Sequence, residues 1–155
     1  MLCEDNTIIH ATTVSVDGKG LIILGGSGSG KSSLAIGLLA LGAELVADDQ
    51  TELKKIKSKV FASPPKNLPI GIESYGLGIV KAPVCSVSVQ VSFVADLSGR
   101  SEKRLPEAEQ IILLGSKFPI FKLGNHKDPV SSLFLLMKYG YVDQNMNITK
   151  IRKFL

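Results

Sequence analysis

Cysteine is scarce in this sequence. The 155 residues contain two cysteines, Cys3 and Cys85, which lie far apart and have no histidine pair near them. A disulfide framework or a zinc site of the usual spacing needs more cysteines or histidines, placed closer together. We therefore expect free thiols and a reducing, cytoplasmic compartment.

Aromatic residues are also few: the chain has no tryptophan, and phenylalanine and tyrosine make up 6% of it. The net charge is +4, with lysines clustered at residues 54–59 and a basic tail at residues 145–155. A solvated face explains such clusters more simply than a nucleic-acid site, because no zinc-finger spacing and no aromatic RNA-binding motif accompanies them. We expect no nucleic-acid partner.

Long apolar runs are missing as well. No stretch approaches the ~18 residues of a membrane span, and residues 1–5 are acidic and polar where a secretion signal is basic and then apolar. We therefore expect no membrane association and no export. With 45% hydrophobic residues, the chain can bury one core without disulfides or a structural metal. We therefore predict a single domain over residues 1–155 with its core at about residues 8–140.

The sequence does contain a complete phosphate-binding pattern. Residues 25–32 read G-G-S-G-S-G-K-S and match G-x-x-x-x-G-K-[ST] in full. Glycines let main-chain N–H groups turn inward around phosphate oxygens, the lysine brings a positive charge to the terminal phosphates, and the final hydroxyl can ligate magnesium. We predict ATP and Mg²⁺ as cofactors, and a binding loop made of Gly25, Gly26, Ser27, Gly28, Ser29, Gly30, Lys31, Ser32 and Ser33.

The neighbours of this loop support the prediction. Residues 21–24 form a short apolar run typical of a buried strand, and residues 33–41 have a helical period that ends at Gly42. Before the strand, Asp17 and Gly18 give a hairpin-turn signal after a β-branched stretch at residues 8–16. The loop strand is thus the predicted second arm of a hairpin, and we predict an α/β fold with a mixed sheet.

Two carboxylates follow the helix. Residues 44–47 form a short apolar strand, and Asp48 and Asp49 come directly after it. Ligands of open α/β sheets bind at the carboxyl ends of strands, so we expect these acids in the ligand crevice. If the strand continues through them, their side chains point to opposite sides.

The second half of the chain is predicted to be scaffold. Residues 86–93 alternate polar and apolar side chains like a half-exposed strand, and residues 111–114 indicate another core strand. Asp128 and Pro129 suit the N-cap and first position of a helix. Its apolar side is wide enough to pack a neighbouring subunit as well as the core.

Together these pieces resemble the catalytic domain of the HPr kinase/phosphorylase family, whose members phosphorylate a serine of the bacterial phosphocarrier HPr. Across about residues 8–120, the matching pieces are His10, the loop, L-V-A-D-D at residues 45–49, and G-L-G-I at residues 76–79 behind Glu73. The resemblance implies a P-loop nucleotide-binding domain with a phosphoenolpyruvate carboxykinase-like fold. It also implies HPr as the substrate and a homo-oligomer, which is a hexamer in the family.

The resemblance implies roles for the site residues. Lys31 and magnesium on Ser32 would neutralise the phosphates, with Asp49 and Glu73 as further metal ligands. Asp48 would accept the proton of the attacking serine hydroxyl, and His10 would belong to the catalytic group. A bend in the chain would let Asp48 and Asp49 exchange roles.

Two positions depart from the family pattern. Tyr75 stands where the family signature has arginine. Ser33 directly follows Lys31 and Ser32, a position where family members commonly have an acid. The chain is similar to the compact form of α-proteobacteria, and kinase chemistry carries over more directly than phosphorolysis. Two alternatives stay open: a small-molecule phosphotransferase of carboxykinase-like fold, and a nucleotide-sensing module that no longer transfers phosphate.

Overall fold

The computed structural model describes residues 5–141, so the basic tail predicted at residues 145–155 lies outside the described part. The strands of residues 5–141 are β1 Asn6–His10, β2 Thr12–Val16, β3 Lys19–Leu24, β4 Glu44–Ala47, β5 Gln50–Ile56, β6 Lys59–Ser63, β7 Ile72–Ser74, β8 Gly78–Val80, β9 Val89–Asp96, β10 Glu109–Leu113 and β11 Ser116–Lys122. The helices are α1 Lys31–Ala40 and α2 Val130–Tyr139. Neither helix is long and apolar enough to cross a bilayer.

Nine of these strands form one mixed sheet. Its order is β1-β5-β6-β9-β3-β2-β4, and β11 joins β9 while carrying β10 on its other side. β9 runs parallel to β3 and to β11, and the remaining pairs are antiparallel. β7 and β8 form a separate antiparallel hairpin. The α/β fold with a mixed sheet is therefore confirmed.

The hairpin before the nucleotide loop is present, although it is shorter than predicted. β2 pairs with β3, and the turn between them has φ of 51° at Asp17 and 77° at Gly18. Residues 8–16 were predicted as one strand, but the chain changes partner at Ala11, because β1 pairs with β5 while β2 pairs with β3 and β4. His10 consequently ends an outer strand of the sheet.

Apolar side chains cover both faces of the sheet. Leu21 and Ile23 of β3 belong to a cluster that α1 and α2 close, while Ile22 belongs to a second cluster on the opposite face. The two helices approach closely at Gly37, where an added Cβ would lie 2.7 Å from the Val130 side chain. Such dense packing holds the start of α1, and with it the loop, at a fixed place above the sheet.

Three predictions about the second half need correction. Residues 86–88 precede β9, so the predicted half-exposed strand begins only at Val89; from there the predicted alternation is present, with Val89 and Val91 buried and Gln90 exposed. β10 pairs with β11 and not with the central strands, so Ile112 is exposed where a core strand was predicted. α2 begins one residue later than predicted, with Pro129 as N-cap and no capping side chain from Asp128.

Candidate active site

The phosphate-binding pattern forms a loop between β3 and α1. Gly30 precedes the helix with φ of 98°, a left-handed conformation that glycine adopts without steric cost. The Ser29 N–H donates to the Gly26 carbonyl oxygen at 3.1 Å, which closes a turn within the loop. The loop thus leads directly into the N-terminus of α1, where the first N–H groups of a helix have no intrahelical partner and can bind an anion.

Lys31 is fixed by the same loop. Its Nζ donates hydrogen bonds to the carbonyl oxygens of Gly25 at 2.7 Å and Gly26 at 3.0 Å, and the residue is buried. An ammonium group has three donors, so one N–H is left for a phosphate oxygen. The charge is thus held at the loop without losing its capacity to bind an anion.

The residues predicted for the site line one cavity of about 640 Å³. Six of the nine loop residues contribute to its wall, namely Ser27, Gly28, Gly30, Lys31, Ser32 and Ser33, while Gly25, Gly26 and Ser29 are not part of it. The other predicted site residues all line it: His10, Asp48, Asp49 and Glu73. Its volume is in the range of small-ligand pockets.

The chain turns sharply at the two carboxylates. β4 ends at Ala47, the Gln50 N–H donates to the Asp48 carbonyl oxygen at 2.7 Å, and Asp49 has φ of 67°. This hydrogen bond from residue i+2 to residue i around a positive φ marks a strained γ-turn. Opposite directions of the two side chains were expected only if the strand continued through them; β4 ends at Ala47, so this condition is not met, and both residues line the same cavity.

Thr12 was missed from the sequence. Its buried hydroxyl donates to Asp48 Oδ1 at 3.0 Å and accepts from the Asp49 N–H at 3.4 Å. These contacts orient the half-buried Asp48 carboxylate, so we treat Thr12 as a positioning residue. No signal in the sequence singles out Thr12, because β2 also contains Thr13 and Ser15, which are buried as well.

His10 lies against the second carboxylate. Its Nδ1 is 3.3 Å from Asp49 Oδ1, and both side chains are at least half exposed. The Ala11 N–H donates to the Asp49 carbonyl oxygen at 3.0 Å, so the end of β1 also holds the main chain of the turn. His10 therefore contacts Asp49 and not Asp48.

The oxygen donors suit a hard cation. Ser32, Asp49 and Glu73 supply a hydroxyl and two carboxylates to the same cavity. No group of three histidine, cysteine, aspartate or glutamate side chains converges on a metal position within residues 5–141. This donor set fits Mg²⁺, which keeps several waters and binds through one or two carboxylates together with substrate phosphates.

Asp96 is the last residue of β9 and pairs with Leu24, the last residue of β3, but it does not line the cavity. Burial alone would raise its pKa. The Ser98 hydroxyl and N–H donate to Asp96 Oδ1 at 2.6 Å and 2.9 Å, and with the Gly99 N–H and the Lys122 charge they outweigh burial. The pKa of Asp96 is therefore lowered, and its carboxylate stabilises its own turn.

Tyr75 lies at the rim of the cavity. It belongs to the turn between β7 and β8, the hairpin on which Glu73 pairs with Ile79, and its side chain is fully exposed. An arginine at this position would add a cation next to bound phosphates. The structure thus places the departure from the family pattern at the site itself.

Comparison with known proteins identifies the family of the chain. The family model of the HPr Serine kinase C-terminal domain matches residues 2–91. The HPr kinase/phosphorylase of Clostridium tetani (strain Massachusetts / E88) is 42% identical over 77 residues, which are 50% of this chain and 25% of that protein. The chain therefore spans about a quarter of the length of this curated relative.

A solved structure shares the fold over nearly the whole chain. The HPr(Ser) kinase/phosphatase from Coxiella burnetii superimposes with a TM-score of 0.69 and 23% sequence identity, covering 96% of this chain and 94% of that chain. The similarity therefore extends beyond residue 91, into the part that supplies β9 to β11 and α2. The family model covers more than half of the sequence, and this chain therefore belongs to the HPr Serine kinase C-terminal domain family.

Proposed function

We propose that this protein is an ATP-dependent protein-serine kinase that phosphorylates an HPr-type phosphocarrier. One observation carries the proposal: Lys31, Ser32 and Asp48 line the same cavity, so a phosphate-binding loop and a candidate base face one space. Membership of the kinase family supports this choice of substrate, as does the name of the curated relative.

Each residue has a separate task in this mechanism. Lys31 and the N-terminus of α1 bind the phosphate oxygens and reduce the charge that develops on them during transfer. Asp48 accepts the proton of the serine hydroxyl as the new phosphorus–oxygen bond forms, and Thr12 holds its carboxylate in place. When bound through Ser32, Asp49 and Glu73, Mg²⁺ adds further charge neutralisation.

The same carboxylate serves both directions of the reaction. Forward transfer requires an ionised Asp48, whereas phosphorolysis of phosphoseryl-HPr requires a protonated carboxyl that returns the proton to the serine oxygen. We include this reverse reaction in the proposal as the second activity to measure. His10, next to Asp49, keeps that side chain directed into the cavity.

The proposal extends to the setting of the reaction. We assign a cytoplasmic location, where ATP is available and the thiol of Cys85 stays free. The partners are the phosphocarrier and further copies of this chain in a hexamer, without nucleic acid or membrane. Leu135 and Tyr139 of α2 are exposed apolar side chains that support a contact between subunits.

Incubating the full chain with labelled ATP, Mg²⁺ and purified HPr tests the proposal. Label on a serine of HPr supports it. ATP binding without transfer to HPr would instead support the nucleotide-sensing alternative, which Tyr75 in place of arginine favours. Label on a small molecule from a metabolite mixture, with HPr unlabelled, would support the small-molecule phosphotransferase.

A further inference from the structure

A second cavity opens on the same two carboxylates. It has a volume of about 250 Å³, and its wall consists of Asp48, Asp49, Gln50 and the segment after β6, which contributes Pro64, Pro65, Lys66, Asn67 and Pro69. No residue of the phosphate-binding loop lines it. The turn at Asp48 and Asp49 is thus shared by the first cavity, which contains the loop, and this second cavity, which we name the proline groove.

We propose that the proline groove receives the serine-bearing segment of the acceptor protein. In phosphoryl transfer the attacking and leaving oxygens lie roughly in line on opposite sides of the phosphorus. The loop holds the nucleotide, so the acceptor hydroxyl approaches from a part of the site that the loop does not occupy. The proline groove meets this requirement, because Asp48 and Asp49 line it and no loop residue does. This inference rests on the proposed function.

The groove is suited to a peptide segment. Three prolines in six residues fix φ along its wall, so little conformational freedom is lost when a segment binds. Prolines also lack N–H groups, which leaves carbonyl oxygens and ring surfaces to contact the guest. The same stretch exposes Leu68 and Ile70, apolar side chains that a bound protein would cover and a small metabolite would not.

Lys66 determines the polarity of the guest. It is exposed and is the cationic residue of the groove wall, which also carries the negative charges of Asp48 and Asp49. A carboxylate or a main-chain carbonyl oxygen close to the acceptor serine would bind it, while the serine hydroxyl reaches Asp48. The groove therefore selects a substrate protein that has a carboxylate or carbonyl oxygen next to the serine to be phosphorylated.

Two substitutions test the groove. Lys66→Met removes the charge at nearly constant length, and Asn67→Trp fills the cavity; neither residue lines the nucleotide cavity. Lys59, an exposed lysine at the other end of β6, provides matched controls in Lys59→Met and Lys59→Trp. Nucleotide affinity, which every variant should retain within about twofold, reports correct folding of each protein.

The readouts are the KM for HPr and the affinity for HPr whose acceptor serine is replaced by alanine. In Lys66→Met we expect the KM to rise and the affinity to fall roughly fivefold, as for loss of one exposed ionic contact. In Asn67→Trp we expect both changes to exceed about tenfold, and in the control variants neither should change. If both groove variants bind HPr and transfer phosphate to it at wild-type levels, the proline groove is not the binding site of the acceptor segment, and the proposed function stays intact. A wild-type chain that neither binds nor phosphorylates HPr would overturn both.

Discussion

Replacing Thr12 by valine removes one hydroxyl from beneath the candidate base and leaves the shape of the side chain almost unchanged. The hydrogen bond to Asp48 Oδ1 is 3.0 Å long, and hydrogen bonds to charged groups contribute about 1.5–3 kcal/mol. Asp48 is only half-buried, so water replaces part of the lost contact and we take the lower value. If the bond holds the carboxylate in its reactive orientation, kcat should fall about tenfold.

Two further variants separate orientation from stability. Thr12→Ser keeps the hydroxyl and loses a buried methyl group, so it should retain kcat and lose about 1 kcal/mol of unfolding free energy. Thr13, the next residue, bonds to the Thr51 hydroxyl at 2.8 Å and does not contact Asp48. Thr13→Val should therefore lose a similar stability with kcat unchanged.

The assay is single-turnover transfer from labelled ATP to HPr at saturating concentrations of both, with stability measured by urea unfolding. Nucleotide affinity should be nearly equal in all three variants, because neither threonine belongs to the loop; Thr12 does line the cavity, but its hydroxyl bonds to Asp48 and to the Asp49 N–H. Our reasoning fails if Thr12→Val transfers phosphate at the wild-type rate, or if Thr12→Ser is as slow as Thr12→Val.

The remaining predictions concern the other site residues and pH. Asp48→Asn keeps the shape but cannot accept a proton, so transfer should fall on the order of 100-fold with ATP affinity nearly unchanged in calorimetry; a normal rate in Asp48→Asn and a slow one in Asp49→Asn would make the second carboxylate the base. Lys31→Ala should lose both ATP binding and transfer, and unchanged ATP affinity would show that the loop is not the phosphate site. Tyr75→Arg should raise the transfer rate by adding a cation at the rim, whereas a slower enzyme would mean that the pocket has adapted to tyrosine. Because the pKa of Asp96 is lowered in the folded state, its carboxylate stabilises the fold at pH values above the ordinary pKa of 3.8. This stabilisation should disappear as the pH falls from 3.8 through the lower folded pKa. In unfolding measurements over that pH range, Asp96→Asn should therefore lose less stability than the wild type.

The strand, loop and helix around the phosphate-binding pattern were predictable because their signals are local. The four defining positions, the strand before them and the helix after them all lie within residues 21–42. The hairpin at Asp17 and Gly18 is also local, since the turn sequence itself selects positive φ. These elements therefore needed no knowledge of the rest of the fold.

The shape of the carboxylate turn was not predictable in the same way. Asp49 is held by a hydrogen bond from Ala11 and Asp48 by one from Thr12, and both come from residues more than thirty positions earlier. The outer position of β10 was not predictable either. Its sequence is as apolar as that of a core strand, but β10 pairs with β11, which in turn pairs with β9. Local patterns report burial on average, whereas these features depend on long-range pairing.

The order of strands in the sheet has a consequence for folding kinetics. β3 forms its hairpin with β2 locally, but its other neighbour, β9, is made only after residue 88. Leu97, just after β9, then donates its N–H to Leu24 at 2.9 Å, next to the first glycine of the loop. Because closing so long a segment is slow, a nascent chain carries the complete phosphate-binding motif well before it has the wall that supports it. We therefore expect the nascent chain to begin binding ATP only after β9 has paired with β3.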